Sequence, residues 1–274
     1  MEIKLIALDM DGTTLLDDKT ISPKNMQVLR GAQARGILVV PATGRPRKII
    51  PDSIFEVGGI QYSITSNGAC VYDHEQEQVL YSNLMTPEEA LNLMDFLSQY
   101  DLFVEAYSDG QSYTERQKLR LLSEIEDFPQ IYMDFILATQ NFVDDLPAFL
   151  KQNDKKIEKV NLPYIEPKLC TEVLTKLREM KEYTLTSSFF NNIEINRAGA
   201  SKGDALSHLC KRLGIRPQEV MAFGDGDNDV EMLKFAGCGV AMGNAIERLK
   251  NCADFITLSN HEDGVAYAIE RLID

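Results

Sequence analysis

A chain of 274 residues, 44% hydrophobic and 26% charged, is long enough for two compact units or one large one and has the composition of an ordinary soluble globular protein. Its 42 acidic residues against 28 basic ones leave a formal charge of −14, which argues against a large basic surface for nucleic acid or anionic membrane. An anionic substrate would need a local inversion of that field.

The first element predicted is a buried parallel strand over 3–8, apolar except for Lys4 and followed at once by a polar glycine turn. Ser22 and Pro23 supply an N-cap and a first-turn proline for a helix that runs to about Arg35, before Gly36. A second buried strand follows over 37–42 and a third over 62–66, the opening of a parallel α/β sheet. From about residue 84 the pattern changes. Thr86 and Pro87 open a helix, short strands pair around Asp109-Gly110, and a further helix covers about 167–180 before more strand-like sequence. This α+β stretch is predicted to be an inserted domain over 84–188, with 1–83 and 189–274 forming the core. The parallel pattern then resumes with helices over 202–213, 230–235 and 264–273 and strands over 220–223, near Gly239 and near Phe255. The fold class expected is α/β, a doubly wound, Rossmann-like parallel sheet carrying an inserted α+β cap.

Cys70, Cys170, Cys210, Cys238 and Cys252 form an odd set without CxxC or zinc-type spacing, which points to a reducing cytoplasm rather than a disulfide framework. Glu2, Lys4 and Asp9 break the first apolar run and argue against a secretory signal. No apolar stretch approaches the roughly 18 residues of a membrane span. His74, His208 and His261 are scattered and sit in no motif.

In a doubly wound sheet, ligands bind beyond the carboxyl ends of the strands. There the sequence places Asp9-Met10-Asp11-Gly12-Thr13-Thr14, Thr43-Gly44-Arg45 and Gly224-Asp225-Gly226-Asp227-Asn228-Asp229, with Ser201-Lys202-Gly203 opening the helix before the last strand. Two carboxylates about 4 Å apart repel by about 4 kcal/mol at an effective dielectric near 20, so their convergence calls for a cation. The ligands available are oxygens, which favours a hard ion, and Mg²⁺ retaining its waters suits so few carboxylates. A metal, a lysine, a hydroxyl and a spare carboxylate are the parts that phosphoryl transfer needs. One carboxylate would attack phosphorus, and the other, two residues on, would handle the protons. Backbone amides at the Asp11-Gly12 turn and near Gly44 would cradle phosphate oxygens. Neither a dinucleotide glycine fingerprint nor a GxxxxGK[ST] loop is present.

With these strings in hand, the sequence resembles the haloacid dehalogenase superfamily of phosphotransferases, most closely its Cof-type phosphatases. Four motifs stand in order, at 9–13, 42–45, 201–203 and 224–229, supported by Ser66-Asn67-Gly68-Ala69, Ala241-Met242-Gly243-Asn244-Ala245 and Glu262-Asp263-Gly264-Val265-Ala266. The resemblance implies Asp9 as nucleophile and metal ligand, and Asp11 as general acid/base whose carbonyl also binds Mg²⁺. It implies Asp225 and Asp229 as the remaining metal residues, and a phosphate held by Thr43, Lys202 and Asn228 with Met10 and Gly44 beside them. Arg45 would steer an anionic substrate group or form a surface salt bridge. The insert would be a cap that closes over the site. Leucine commonly stands in the family where this chain has Thr14, a departure expected to concern packing. The function implied is a cytoplasmic, Mg²⁺-dependent phosphomonoesterase on small phosphorylated metabolites, sugar phosphates or phosphorylated cofactors. A phosphomutase of the same fold and a receiver-type phospho-aspartate protein are the alternatives. Asp227, flanked by two better placed acids, reads as a solvated turn residue outside the site, and Asn67, Tyr107 and Tyr113 read as packing residues as readily as specificity residues.

Overall fold

The computed structural model describes residues 2–125, 128–188 and 192–273. Two compact units form: one from the chain up to Arg45, Ile50–Ser82 and the chain from Ala200 onward, the other from Pro46–Ile49 and Asn83–Gly199. In chain order the first unit contributes β1 (Leu5–Leu8), β2 (Leu38–Pro41), β3 (Tyr62–Thr65), β4 (Cys70–Asp73) and β5 (Gln78–Ser82). The second contributes β6 (Glu105–Ser108), β7 (Gln111–Glu115), β8 (Gln140–Val143), β9 (Lys159–Leu162), β10 (Tyr183–Thr186) and β11 (Ile193–Arg197), and the first resumes with β12 (Val220–Gly224), β13 (Cys238–Ala241) and β14 (Phe255–Ile256).

The first unit is built on a parallel sheet of order β14-β13-β12-β1-β2. All four residues of β1 are buried, as an unbroken apolar run covered on both faces must be. Leu29, Leu206, Leu209 and Ile269 from three helices join them in one core. Those helices carry ordinary stop and start signals. Ser22 accepts from Asn25 N at 3.1 Å to cap Pro23–Ala34, and Ser201 accepts from Asp204 N at 3.0 Å to cap Lys202–Leu213, which ends on left-handed Gly214. In register, Leu8 lies between Phe223 and Pro41, so the segments after β1, β2 and β12 leave the sheet at one edge.

One strand departs from expectation. β3 meets the parallel sheet only through the bridge Ala42↔Ile64 and instead leads an antiparallel sheet, β3-β4-β5. The cause is local: Ser66, Asn67 and Gly68 take φ of 50°, 58° and 93°, which turns the chain back so that Cys70 pairs with Thr65. An Asn-Gly pair between two apolar runs is a hairpin signal in its own right.

The second unit has a six-stranded sheet, β10-β11-β9-β6-β7-β8, antiparallel except between β7 and β8. Its apolar face, with Ala106, Val160, Leu162, Ile193 and Ile195, packs with Leu93, Leu150 and Val173 from three helices. The expected return to the core between 188 and 189 falls at residues 189–191, outside those described. The boundary itself is corrected: β11 pairs with β9 and β10, so the chain stays in the insert to Gly199. A strand's ladder partners decide its unit, and its own sequence does not name them.

Candidate active site

The edge of the first unit's sheet brings the motifs together. Asp9 follows β1 directly, its amide donating to Phe223 O at 3.0 Å, and the loop then folds tightly as Thr14 N and Leu15 N donate to Met10 O at 3.0 and 2.9 Å. Gly12 takes φ +79°, and a Cβ there would stand 2.5 Å from Asp225 Oδ2, so this turn passes against the opposing loop with no room for a side chain. Thr14 does more than pack: it is buried, and its hydroxyl donates to Asp9 O at 2.6 Å. Thr13 Oγ1 donates to Asp225 Oδ1 at 2.8 Å, a link between the first and last motifs that the sequence did not signal.

Lys202 opens its helix, where an exposed cation would oppose the helix dipole. Here it is fully buried and donates to Asp9 Oδ1 at 2.5 Å and Asp229 Oδ1 at 2.7 Å. Burial works against its charge, but Asp229 and Asp9 outweigh that and hold the ammonium well above its ordinary range. Gly203 makes the placement possible, since a Cβ there would lie 2.4 Å from the Glu231 backbone. Asp229 is fixed from behind, its Oδ2 accepting from Asp225 N and Gly226 N, each at 3.0 Å.

Carboxylate oxygens of Asp9, Asp225 and Asp229 lie within 4.8 Å of one another. Burial, with the charges of Asp229 and Asp225 beside it, pushes the Asp9 carboxyl well above the usual carboxylate range, even though Lys202 pulls the other way. Burial and the neighbouring Asp229 push Asp225 up to about 6. Three convergent carboxylates against one ammonium leave a surplus of negative charge that a divalent cation would neutralise, and the all-oxygen donor set fits a hard ion.

Asp11 points its carboxylate elsewhere. Arg45 Nε and Nη2 grip its two oxygens, each at 2.7 Å, and Lys19 Nζ adds a contact at 2.9 Å. Burial would raise this carboxyl, but the two cations outweigh it and hold it at about 2. Of the two roles open to Arg45, the structure displays an ion pair, and a partly buried one within the site. Lys19 lay outside every motif, and nothing in its sequence context marked it. Thr43 is buried after β2, its hydroxyl oxygen accepting from Arg45 N at 3.1 Å, with Gly44 in the same loop. Asn228 Nδ2 donates to Asn67 Oδ1 at 3.0 Å, and Asn67 N donates to Thr43 O at 3.0 Å, so the Asn67 turn ties the second motif to the fourth. Asp227 pairs with Arg248.

The model of the haloacid dehalogenase-like hydrolases matches residues 6–269. Phosphatase YwpJ of Bacillus subtilis (strain 168) is 33% identical over 99% of this chain and 100% of its own. The 5-amino-6-(5-phospho-D-ribitylamino)uracil phosphatase YcsE of the same organism is 33% identical over 100% of this chain and 97% of its own. Among solved structures, a haloacid dehalogenase-like hydrolase from B. subtilis superposes with a TM-score of 0.87 at 30% identity, covering 99% of this chain and 100% of that one.

Proposed function

The chain belongs to the haloacid dehalogenase-like hydrolases, as a phosphatase of the Cof type, and from that premise we propose that it is a Mg²⁺-dependent phosphomonoesterase working through a phospho-Asp9 intermediate. The observation that carries this reading is the buried convergence of Asp9, Asp225 and Asp229 on one edge, with Lys202 bridging two of them. Bound there, Mg²⁺ would supply positive charge to phosphoryl oxygens at a place the protein leaves strongly negative. Asp9 attacks phosphorus with a carboxylate oxygen as the ester P–O bond breaks, and the departing alkoxide takes a proton from Asp11. Water then attacks phosphorus, gives its proton to Asp11, and phosphate and free Asp9 are regenerated. Lys202, Thr43 and Asn228 hold the phosphoryl oxygens through donated hydrogen bonds. Asp11 as seen here, ionised between Arg45 and Lys19, is in the form that receives a proton. Its acid step therefore requires those two cations to let go. The substrates proposed are small phosphorylated metabolites, the class to which the compound in the name of YcsE belongs. Five free cysteines suit a reducing cytoplasm. Among the described residues, no helix is long and apolar enough to cross a membrane.

The test is a rapid quench of the full chain with Mg²⁺ and an aryl phosphate, followed by peptide mass mapping. A phosphoryl adduct on the peptide bearing Asp9, absent when a chelator is added first, is the expected result. Turnover with no adduct on that peptide at any time would overturn the covalent route.

A further inference from the structure

Within the first unit, a cleft of about 410 Å³ opens between the β4–β5 hairpin and the helix Lys202–Leu213. Small-molecule sites span roughly 300–1,000 Å³, so this one has room for a ligand of one or two rings. Val71, Leu80 and Tyr81 line it from the strands, and His208, Leu209, Lys211 and Arg212 from the helix. Its base is fixed, since Val71 and Leu209 are buried members of the unit's core and Leu80 packs against that core.

Two of the walls are aromatic. The Tyr81 and His208 rings stack with centroids 4.1 Å apart and 15° between their planes. Asp204, one turn before His208, pins them both: it accepts from the Tyr81 hydroxyl through Oδ2, and its Oδ1 lies 3.8 Å from His208 Nε2. No acid lines the cleft. Lys211 and Arg212 are exposed beside it, and among the described residues neither forms an ion pair, although the chain carries a formal charge of −14. An anion seated there would therefore gain two cations without taking them from a partner inside the protein.

We propose that this cleft is a binding site for a flat aromatic anion, separate from the phosphoryl site. The ring would rest on the apolar base and against the Tyr81–His208 pair, and its charge would face Lys211 and Arg212. Lys202 and Lys211 stand near opposite ends of one helix, about 14 Å apart at a rise of about 1.5 Å per residue. A molecule of this size does not reach both. Two sources share the chemistry, an aromatic sulfonate or carboxylate and a mononucleotide.

Titrations of the full chain, held in chelator and followed by proton NMR, decide between them. With three histidines in the chain, the ring protons of His208 can be told from those of His74 and His261. Naphthalene-2-sulfonate, the neutral naphthalene-2-sulfonamide and adenosine monophosphate are the probes. Saturable shifts at His208, with His74 and His261 unmoved, are expected for the sulfonate, and a Kd about 10-fold weaker for the sulfonamide. Lys211→Gln and Arg212→Gln, both at exposed positions, should each weaken the sulfonate about 5-fold, the upper range of one exposed ion pair, and leave the sulfonamide unchanged. Tighter binding of adenosine monophosphate assigns the site to nucleotides, and tighter binding of the sulfonate assigns it to aromatic acids. Either result supports the proposal. No saturable shift at His208 with either anion, or equal Kd values for sulfonate and sulfonamide, overturns it and leaves Lys211 and Arg212 as complements of the helix end. No turnover is measured, so the outcome stands whatever becomes of the phosphatase reading.

Discussion

The strand-end site of the first unit and the polar sheet face of the second both bury carboxylates, and they resolve that burial in opposite ways. Around Glu105 the protein supplies its own donors, and Glu194 has Lys159, so what remains over is acceptors. Around Asp9, Asp225 and Asp229 a single buried lysine faces three carboxyls, so what remains over is charge. Desolvation is expensive in both places, but a surplus of charge calls for an ion, whereas a surplus of acceptors calls for none. The kind of imbalance left behind therefore tells a candidate ion site from an internal polar network.

The largest effect expected from this contrast is at Asp9. Asp9→Asn should cut kcat for an aryl phosphate by on the order of 10⁴-fold, as loss of a nucleophile does. In the same variant, thermal unfolding without metal should come no earlier than in the wild type, because the charge removed is one that burial disfavours. Activity within tenfold of wild type would break the comparison at its centre.

Next in size is the response to metal and pH. Mg²⁺ at about 100 times its Kd should stabilise the folded chain by about 3 kcal/mol, and Asp225→Asn should remove most of that gain. Without metal the sign is set by Asp225, whose carboxyl is raised from 3.8 to about 6. Between those values the folded chain binds more protons than the unfolded one. The stability this carboxyl contributes is therefore complete below about pH 4 and is lost as pH climbs through about 6. Denaturant titrations should show the chelated protein losing about 1 kcal/mol from this group between about pH 5 and pH 7. A flat profile, or one that Asp225→Asn leaves unchanged, would mean that the charge is not in surplus.

Arg45 tests the opposite sign within the same unit. Asp11, lowered to about 2, contributes stability that is present above about pH 4 and lost as pH falls through about 2. Arg45→Met should cost about 1 to 2 kcal/mol near neutrality and should flatten the acid limb of the stability curve. Equal acid limbs in variant and wild type would show that Lys19 suffices. The smallest effect is at Thr14, where Thr14→Val removes the hydroxyl bonded to Asp9 O and should cost about 1 kcal/mol in a denaturant titration. No change would return Thr14 to a packing role.

Much of the first unit was legible because its signals are short-range. Leu5–Leu8 is apolar throughout because both faces are covered, and an acid after such a strand sits at a ligand-binding edge whatever follows. The hairpin at Asn67-Gly68 was not read from the sequence: the string served only as a mark of the resemblance, and the strand before it looked like one more parallel strand. The clamp of Arg45 and Lys19 on Asp11 was not legible either, because a carboxylate near several cations does not state which of them will reach it. The polar rows of the insert were hidden for a related reason. Glu105, Gln140, Asn161 and Glu194 are separated by tens of residues, and only the strand register makes them neighbours.

By itself, then, the sequence determined the parallel core, the three motifs at its strand ends with the fourth at a helix start, and the phosphatase class that they imply, since each rests on residues close together in the chain. Tertiary structure alone decided that Lys202 is buried between Asp9 and Asp229, that Asp11 is held ionised, that the insert extends to Gly199, and which acceptors of its sheet are left unpaired. Those are facts of pairing between distant segments, set by register and by the competition of several partners for one group. No local pattern encodes the outcome of that competition.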